Sequence, residues 1–269
     1  MVAQAPGPAA NFGEVYVPRL LSQVNHRLYR DSRMYTCSVS IDSNLADATT
    51  VDVYALADTW YLKGALKLAK SAWDASNAEE IAMNNGHTAR WNDFRIDAGI
   101  SGAAQMLAVQ FNQSSLGASQ ITDGEFDLSQ VVDQAGASRS FTVGTPSVSE
   151  YNVFDEYDRQ PGTNTDPTIP SNGPYSGLLP NLSTAAAAHI SDAGNNPPYK
   201  ADGYGNAIWV KVGTLHLAAG RQRLSTGFFP APMGMIVLEG VGTIGDQADV
   251  SVEVKGGDYK GVMSHSMLE

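Results

Sequence analysis

The run Val51-Asp52-Val53-Tyr54-Ala55-Leu56-Ala57-Asp58-Thr59-Trp60-Tyr61-Leu62 continues through 63–89 to Arg90-Trp91-Asn92-Asp93-Phe94-Arg95-Ile96, and this stretch sets the architecture. Val51, Val53 and Ala55 alternate with their neighbours at the period of a strand. Asp58 or Thr59 offers a side-chain oxygen to the free N–H groups of a first helical turn. Leu62, Leu66, Ala69 and Trp73 then fall on one stripe of a helix over about 59–83. Asn84-Asn85-Gly86 supplies the left-handed residues on which helices stop. Trp91, Phe94 and Ile96 return to extended chain. This is the one long helix the pattern supports, and it contains no catalytic motif. Lys63, Lys67 and Lys70 run beside the apolar stripe near the helix start, with Asp74, Glu79 and Glu80 toward its end. That order opposes the helix dipole, so the lysines read either as a partner surface or as a solvated face.

Outward from this core the chain reads as strands. Upstream, Tyr35, Cys37, Val39 and Ile41 alternate with Thr36, Ser38 and Ser40. Leu20, Leu21, Val24 and Leu28 have helical spacing, within an N-terminal arm over 1–33 whose first thirteen residues read as a flexible tail. Downstream, strands are expected over 106–111, at Phe141 and Val143, and over 148–154. The stretch 159–205 holds seven of the thirteen prolines and reads as a long Pro/Gly-rich surface insertion. Strong alternation resumes after it. Ile208, Val210, Val212, Thr214 and His216 share one face, and Trp209, Lys211, Gly213, Leu215 and Leu217 the other. Segments at 224–229, 233–238 and 250–254 follow. About eight strands with turns between them imply a mainly β chain. The expected fold is a two-sheet β-sandwich or single jelly roll over 34–269, with one long inserted helix.

Composition narrows the function classes. The formal net charge is −11, which argues against a protein whose main task is gripping nucleic acid. The charge is uneven. Residues 1–33 carry Arg19, Arg27, Arg30 and Arg33 against two acids, whereas 100–205 carries eleven acids against three basic residues. The lone Cys37 excludes an intrachain disulfide and reads as a small buried residue. No signal peptide and no run near the roughly 20 apolar residues of a bilayer span is evident.

The search for chemistry finds little. Gly240-Val241-Gly242-Thr243-Ile244-Gly245 matches the dinucleotide fingerprint in letters. A strand follows it where the physics requires a helix N-terminus, so it reads as a Gly-rich hairpin loop. The five histidines lack ligand spacing. Asp155-Glu156-Tyr157-Asp158 offers carboxylates for a calcium ion, without the spacing of a calcium loop, and reads as an acidic loop. No catalytic, cofactor or metal residues are assigned.

The strand, then Asp58-Thr59-Trp60-Tyr61, the long helix and Arg90-Trp91-Asn92-Asp93-Phe94-Arg95 together resemble the capsid proteins of small viruses with circular single-stranded DNA genomes, over about 20–100. The resemblance implies a single jelly roll that self-assembles into an icosahedral shell in the virion. It implies no enzyme activity, no cofactor and no membrane, and copies of the chain as its partners. Many such proteins carry a long Arg/Lys-rich arm, and this chain departs from them with only four arginines in its first 33 residues, which implies that a genome would be condensed by other means. On this reading Trp60, Tyr61, Lys63, Lys67, Lys70, Trp91 and Phe94 form subunit contacts, since aromatics dominate interface energy. Arg19, Arg27, Arg30 and Arg33 face the genome. Two alternatives stand beside it. One is a carbohydrate- or receptor-binding sandwich of the phage-fibre or lectin kind, using loop residues such as Asn195, Asn196, Tyr199 and Tyr204. The other is a sandwich hydrolase with carboxylates such as Glu150 and Asp155.

Overall fold

Tyr35, Cys37, Val39 and Ile41 are each at most 1% exposed, and they form the spine of the hydrophobic core. The structure, a computed structural model, describes residues 2–4, 12–45, 47–87, 89–99, 105–106, 110–113, 117–120, 126–133, 135–144, 146–158, 209–241 and 248–269. In chain order the elements are β1 (Val2–Gln4), β2 (Phe12–Tyr16), α1 (Val17–Asn25), β3 (Arg33–Leu45), β4 (Thr49–Leu56), α2 (Trp60–Met83), β5 (Gln105–Met106), β6 (Gln110–Gln113), β7 (Gly117–Gln120), β8 (Gln130–Val132), β9 (Ser138–Thr142), β10 (Glu150–Asn152), α3 (Val153–Asp158), β11 (Trp209–Leu217), β12 (Gly220–Pro232), β13 (Met235–Val241), β14 (Ala248–Val254), β15 (Gly256–Gly257), β16 (Gly261–Val262) and β17 (Ser264–Ser266).

The chain is mainly β, as expected. One sheet has the order β1-β14-β3-β12, with β17 also on β3, and a second has the order β11-β4-β13-β2-β5. Three successive strand pairs, β3/β4, β11/β12 and β13/β14, each send one strand to either sheet. The β3/β4 pair is central, so β12 and β14 flank β3 while β11 and β13 flank β4. The inward faces of both sheets meet in one core built from Val39, Ile41, Val51, Val53, Ile236, Leu238, Val250 and Val252 among others. A small third sheet, β10-β9-β8, lies beside α2, which contacts β8 and α3.

Several expectations change. The described part of 1–33, residues 2–4 and 12–33, is not a free arm, and most of the expected tail over 1–13 lies outside the described residues. Val2–Gln4 pair with β14, β2 is an interior strand between β13 and β5, and Val15, Val17, Leu20 and Leu21 belong to the core. The helical spacing of Leu20, Leu21 and Val24 is realised in α1, where Pro18 starts the helix and His26 caps its end at positive φ, so that Leu28 falls beyond it. The stretch 148–154 divides into β10 and α3. Asn152 Oδ1 accepts from the amides of Phe154 (2.9 Å) and Asp155 (3.1 Å), a side-chain cap that ends the strand and starts a helix. The acidic run 155–158 is therefore helical, with Asp155 and Glu156 in the first turn where the dipole favours them. In β11 a register shift between Lys211 and Gly213 breaks the simple alternation. Lys211 Nζ and Thr214 Oγ1 both reach Asp52, so they share the outer face although they are three residues apart. The insertion 159–205, residues 107–109 and most of the Gly-rich loop after Val241 lie outside the described residues.

α2 follows the expected bounds closely. Thr59 Oγ1 accepts from the Leu62 amide at 3.1 Å, and Gly86 at positive φ closes the far end by donating to the Ile81 carbonyl. Leu62, Ala65, Leu66 and Ala69 are buried on a second core, with Tyr16, Leu56, Phe94, Ile96, Phe141 and Met235. Leu66→Ala should cost about 2–5 kcal/mol through the cavity it leaves, and Thr59→Ala about 1 kcal/mol through the lost cap. Urea unfolding of the two variants checks both, and equal costs would place α2's stability in its cap instead of its buried face.

Candidate functional site

α2 is anchored over its first half only. Beyond Trp73, whose ring lies 5.5 Å from that of Phe94, its described side chains are half-buried or exposed. Its second half stands away from the sandwich and forms one wall of a groove of about 1280 Å³. The end of α1 (Ser22, Gln23, His26, Arg27) and the segments 89–95 and 126–130 supply the other walls.

The groove is cationic in an acidic chain. Arg27, Arg90 and Arg95 line it, as do Asp93 and Asp127. Arg95 donates to the carbonyls of Trp91 (3.1 Å) and Asp127 (3.4 Å), and its guanidinium lies 5.2 Å from the Phe126 ring. Arg19 lies 5.1 Å from the same ring. Arg90 sits 4.9 Å from the Trp91 ring, which is half exposed. Asp93 is nearly enclosed, with a side chain 10% exposed. Its Oδ1 is 3.9 Å from Arg30 Nε, and its Oδ2 is buried with no hydrogen-bond partner. Burial raises the Asp93 pKa, against the pull of Arg30 and the Phe94 amide. Burial, then the Asp93 charge, push Asp31 up to about 8, against Arg95 and Arg19.

A cluster of cations adjoins the groove. Lys260 donates to the Leu28 carbonyl and lies over the rings of Tyr29 (5.7 Å) and Tyr259 (5.3 Å). Arg33 stacks 3.9 Å from the Tyr259 ring and bonds Ser264 through Nε at 2.7 Å. Burial lowers the Lys260 pKa, and the charge of Arg30, with Arg27 and Arg33 behind it, lowers it further. The fold thus brings Arg27, Arg30 and Arg33 within range of Lys260, with Arg90 and Arg95 lining the adjoining groove. Arg19 shares the Phe126 ring with Arg95.

The expected subunit-contact residues divide. Trp60 is 67% exposed, 5.9 Å from the Tyr61 ring and 6.5 Å from that of Tyr157. Tyr61 is half-buried and stacks on Phe154 at 5.0 Å. Trp91 is exposed, in the groove wall. Phe94 is 1% exposed, wedged between Trp73 and Phe141, so it serves the subunit's own core and cannot anchor a neighbour. Lys63 pairs with Asp58 at 2.7 Å and Lys70 with Asp74 in an i,i+4 bridge, while Lys67 is exposed. For Lys63 and Lys70 these local pairs offset the placement that the helix dipole opposes.

A second polar cluster escaped the sequence reading. The Tyr16 hydroxyl accepts from the Ala98 amide (2.9 Å), and lies 3.1 Å from Asp97 Oδ1 and 3.3 Å from Glu14 Oε2. One hydroxyl proton cannot serve both carboxylates, so Glu14 completes the network when it carries a proton itself. Burial, then the Asp97 charge, push its pKa up to about 7. Among the described residues no group of three or more His, Cys, Asp or Glu is placed to hold a metal ion, and no helix is long and apolar enough to cross a membrane. Comparison of the chain with family models, curated proteins and solved structures gave no match.

Glu14 gives the fold a pH dependence with a defined sign. Its pKa rises on folding, so between about 4.5 and about 7 the native state holds a proton that the unfolded chain has released. That contribution is complete below about pH 4.5 and is lost as pH rises through about 7. Glu14→Gln should therefore be more stable than the parent by about 1 kcal/mol near pH 8, allowing for partial exposure, and equal to it near pH 4.5. Urea unfolding at both pH values tests this. An unchanged difference across the range would show that Glu14 is not the titrating group.

Proposed function

We propose that the chain is a structural protein that assembles with copies of itself into a closed viral shell around a nucleic-acid genome, as the major capsid protein of a small single-stranded DNA virus. Its sandwich is the shell's building block, wrapped as a jelly roll in an icosahedral arrangement, and its place is the virion. The work it does is assembly, with no cofactor and no reaction.

One observation carries the reading: two unlike surfaces sit at opposite ends of α2. At the N-terminal end, Trp60 stands exposed over Tyr61 and Tyr157 and forms an aromatic platform. Gly64 lies beneath it because a Cβ there would come within 2.8 Å of the Tyr157 hydroxyl, so Tyr157 packs directly on the helix backbone. A large, rigid, half-supported aromatic of this kind is what interface hot spots are made of. At the C-terminal end lies the cationic groove. A shell subunit needs both, one surface for its neighbours and one for the polyanion inside. The net charge of −11 leaves the remaining surface anionic.

The expressed protein should form large particles, seen by size-exclusion chromatography and negative-stain imaging. Trp60→Ala should leave the fold intact, because the side chain is mostly exposed, and weaken association by roughly tenfold or more. Small species alone, under every condition of salt and pH, would remove the proposal. Binding to glycans by a discrete small oligomer would favour a receptor-binding sandwich in its place.

A further inference from the structure

We propose that the groove between the end of α1 and the second half of α2 binds a short stretch of single-stranded nucleic acid, with phosphates on Arg27 and Arg90, a base stacked on Trp91, and a base amino group donating to Asp93. The inference deepens the enclosed-genome reading and rests on it for the source of the strand. The binding chemistry stands on the groove's own residues.

Three features select this occupant. The first is charge. Arg27, Arg90 and Arg95 line the groove, and Arg30 and Lys260 stand beside it, in a chain that is strongly acidic overall. Like-charged groups gathered this closely repel one another, and a polyanion relieves that repulsion. The second is ring availability. Phe126 has two guanidiniums against it, Arg19 and Arg95, whereas Trp91 has one near its ring, Arg90 at 4.9 Å, and keeps 52% of its surface exposed in the groove wall. Stacking on an exposed ring is open to unpaired bases and closed to bases inside a duplex. The third is Asp93, whose side chain lines the groove and is 10% exposed; its Oδ2 is a buried acceptor with nothing to accept from, and a turn of the carboxylate is what brings that oxygen to a donor in the groove. An amino group such as cytosine N4 supplies the missing donor. The groove, at about 1280 Å³, also exceeds the roughly 300–1,000 Å³ typical of a small-molecule pocket, as a site for several linked nucleotides should.

The competing occupant is the acidic 100–205 stretch of a second copy. Its carboxylates would meet the arginines, but they are acceptors and would leave Asp93 unsatisfied and repelled. The observations therefore favour nucleic acid.

The test is fluorescence anisotropy with labelled 12-nucleotide probes, (dC)12, (dT)12 and a 12-base-pair duplex, on unassembled full-length protein at about 50 and 200 mM salt. The single strands should bind at least tenfold more tightly than the duplex, and (dC)12 more tightly than (dT)12. Trp91→Ala should weaken both single strands at least fivefold. Arg90→Ala should do the same and flatten the salt dependence. Asp93→Asn puts an amide of the same shape in place of the carboxylate, and should abolish the preference for (dC)12 while (dT)12 binding stays within twofold. Trp91 and Arg90 are exposed, so loss of binding in those variants is not loss of fold, and circular dichroism confirms it. No single-strand binding at low salt, binding indifferent to Trp91 and Arg90, or equal binding of the duplex would each overturn the inference. Strand binding that survives without particle formation would remove the shell reading and leave the groove assignment standing. Particles that form while the groove ignores the probes would do the reverse.

Discussion

The second sheet must bury both of its faces at one end, and the rest of the molecule is arranged to meet that demand. Neighbouring residues on its central strands point opposite ways. Val15, Ala55 and Ile236 face the sandwich core, while Tyr16, Leu56 and Met235 face outward. An antiparallel sheet with one wet face needs no such pairs. Left in water, the outward set would forfeit roughly 25 cal/mol for each Å² of apolar surface. α2 covers it with Leu62, Ala65, Leu66 and Ala69, and Phe94, Ile96 and Phe141 close the sides. At the other end of the same sheet the outer face is polar, with Asp52, Lys211 and Thr214 joined to one another, and the described residues leave it open. The helix is thus fixed to one end of the sheet by where the apolar side chains stop alternating with polar ones.

That placement makes the groove. α2 has 24 residues, and at 1.5 Å each it is longer than the apolar patch it covers. Beyond Trp73 against Phe94 the helix is held to the chain beneath it by the Asn92 side-chain amide, which donates to Asn77 Oδ1 at 3.4 Å, and its last turns overhang. An overhanging helix creates a concavity wherever chain passes beneath it, and here the chain is 89–95, the same segment that delivers Phe94 and Ile96 to the second core. Along that segment burial alternates, with Phe94 and Ile96 inward and Asp93 and Arg95 partly open. The packing of two aromatic residues and the presentation of charged ones to the groove are therefore one structural event. A change at Phe94 would be felt in the groove wall without touching it.

Legibility followed the range of the forces involved. α2 was readable to within a residue because its signals are local: a capping Thr59, a stripe at helical period, and Asn85-Gly86 at the stop. The β3 and β4 strands were readable for the same reason. Failures came where distant partners decide. Phe12–Tyr16 straddles the end of the expected tail and the start of the arm and reads as no strand until β13 lies beside it, and the Lys211 bulge is visible only through the shared grip of Asp52 on Lys211 and Thr214. Helix α3 did carry a local signal, Asn152 followed by two acids, but Tyr151 and Phe154 suggested a strand more strongly. In the site, the cluster of Arg27, Arg30 and Arg33 followed from sequence proximity alone. Lys260, more than two hundred residues away, could not be placed beside them without the tertiary fold, and neither could Arg90 and Arg95.

The groove and its border break local rules of folding in a consistent direction. Lys260 is partly desolvated among three arginines, and its pKa falls accordingly. Asp93 Oδ2 is buried without a donor. Trp91 shows half its surface to water. Each is unfavourable for the isolated chain, and none is forced by the packing, since Phe94 and Ile96 hold the segment whatever occupies 91 and 93. Sequences generally satisfy such rules wherever nothing else is required of the position. The three departures also share one remedy: a ligand bearing negative charge, flat rings and amino donors would screen the cations, cover the indole and complete the carboxylate. That three unrelated costs are cancelled by one kind of molecule is a stronger argument for what the groove holds than any one of them taken alone.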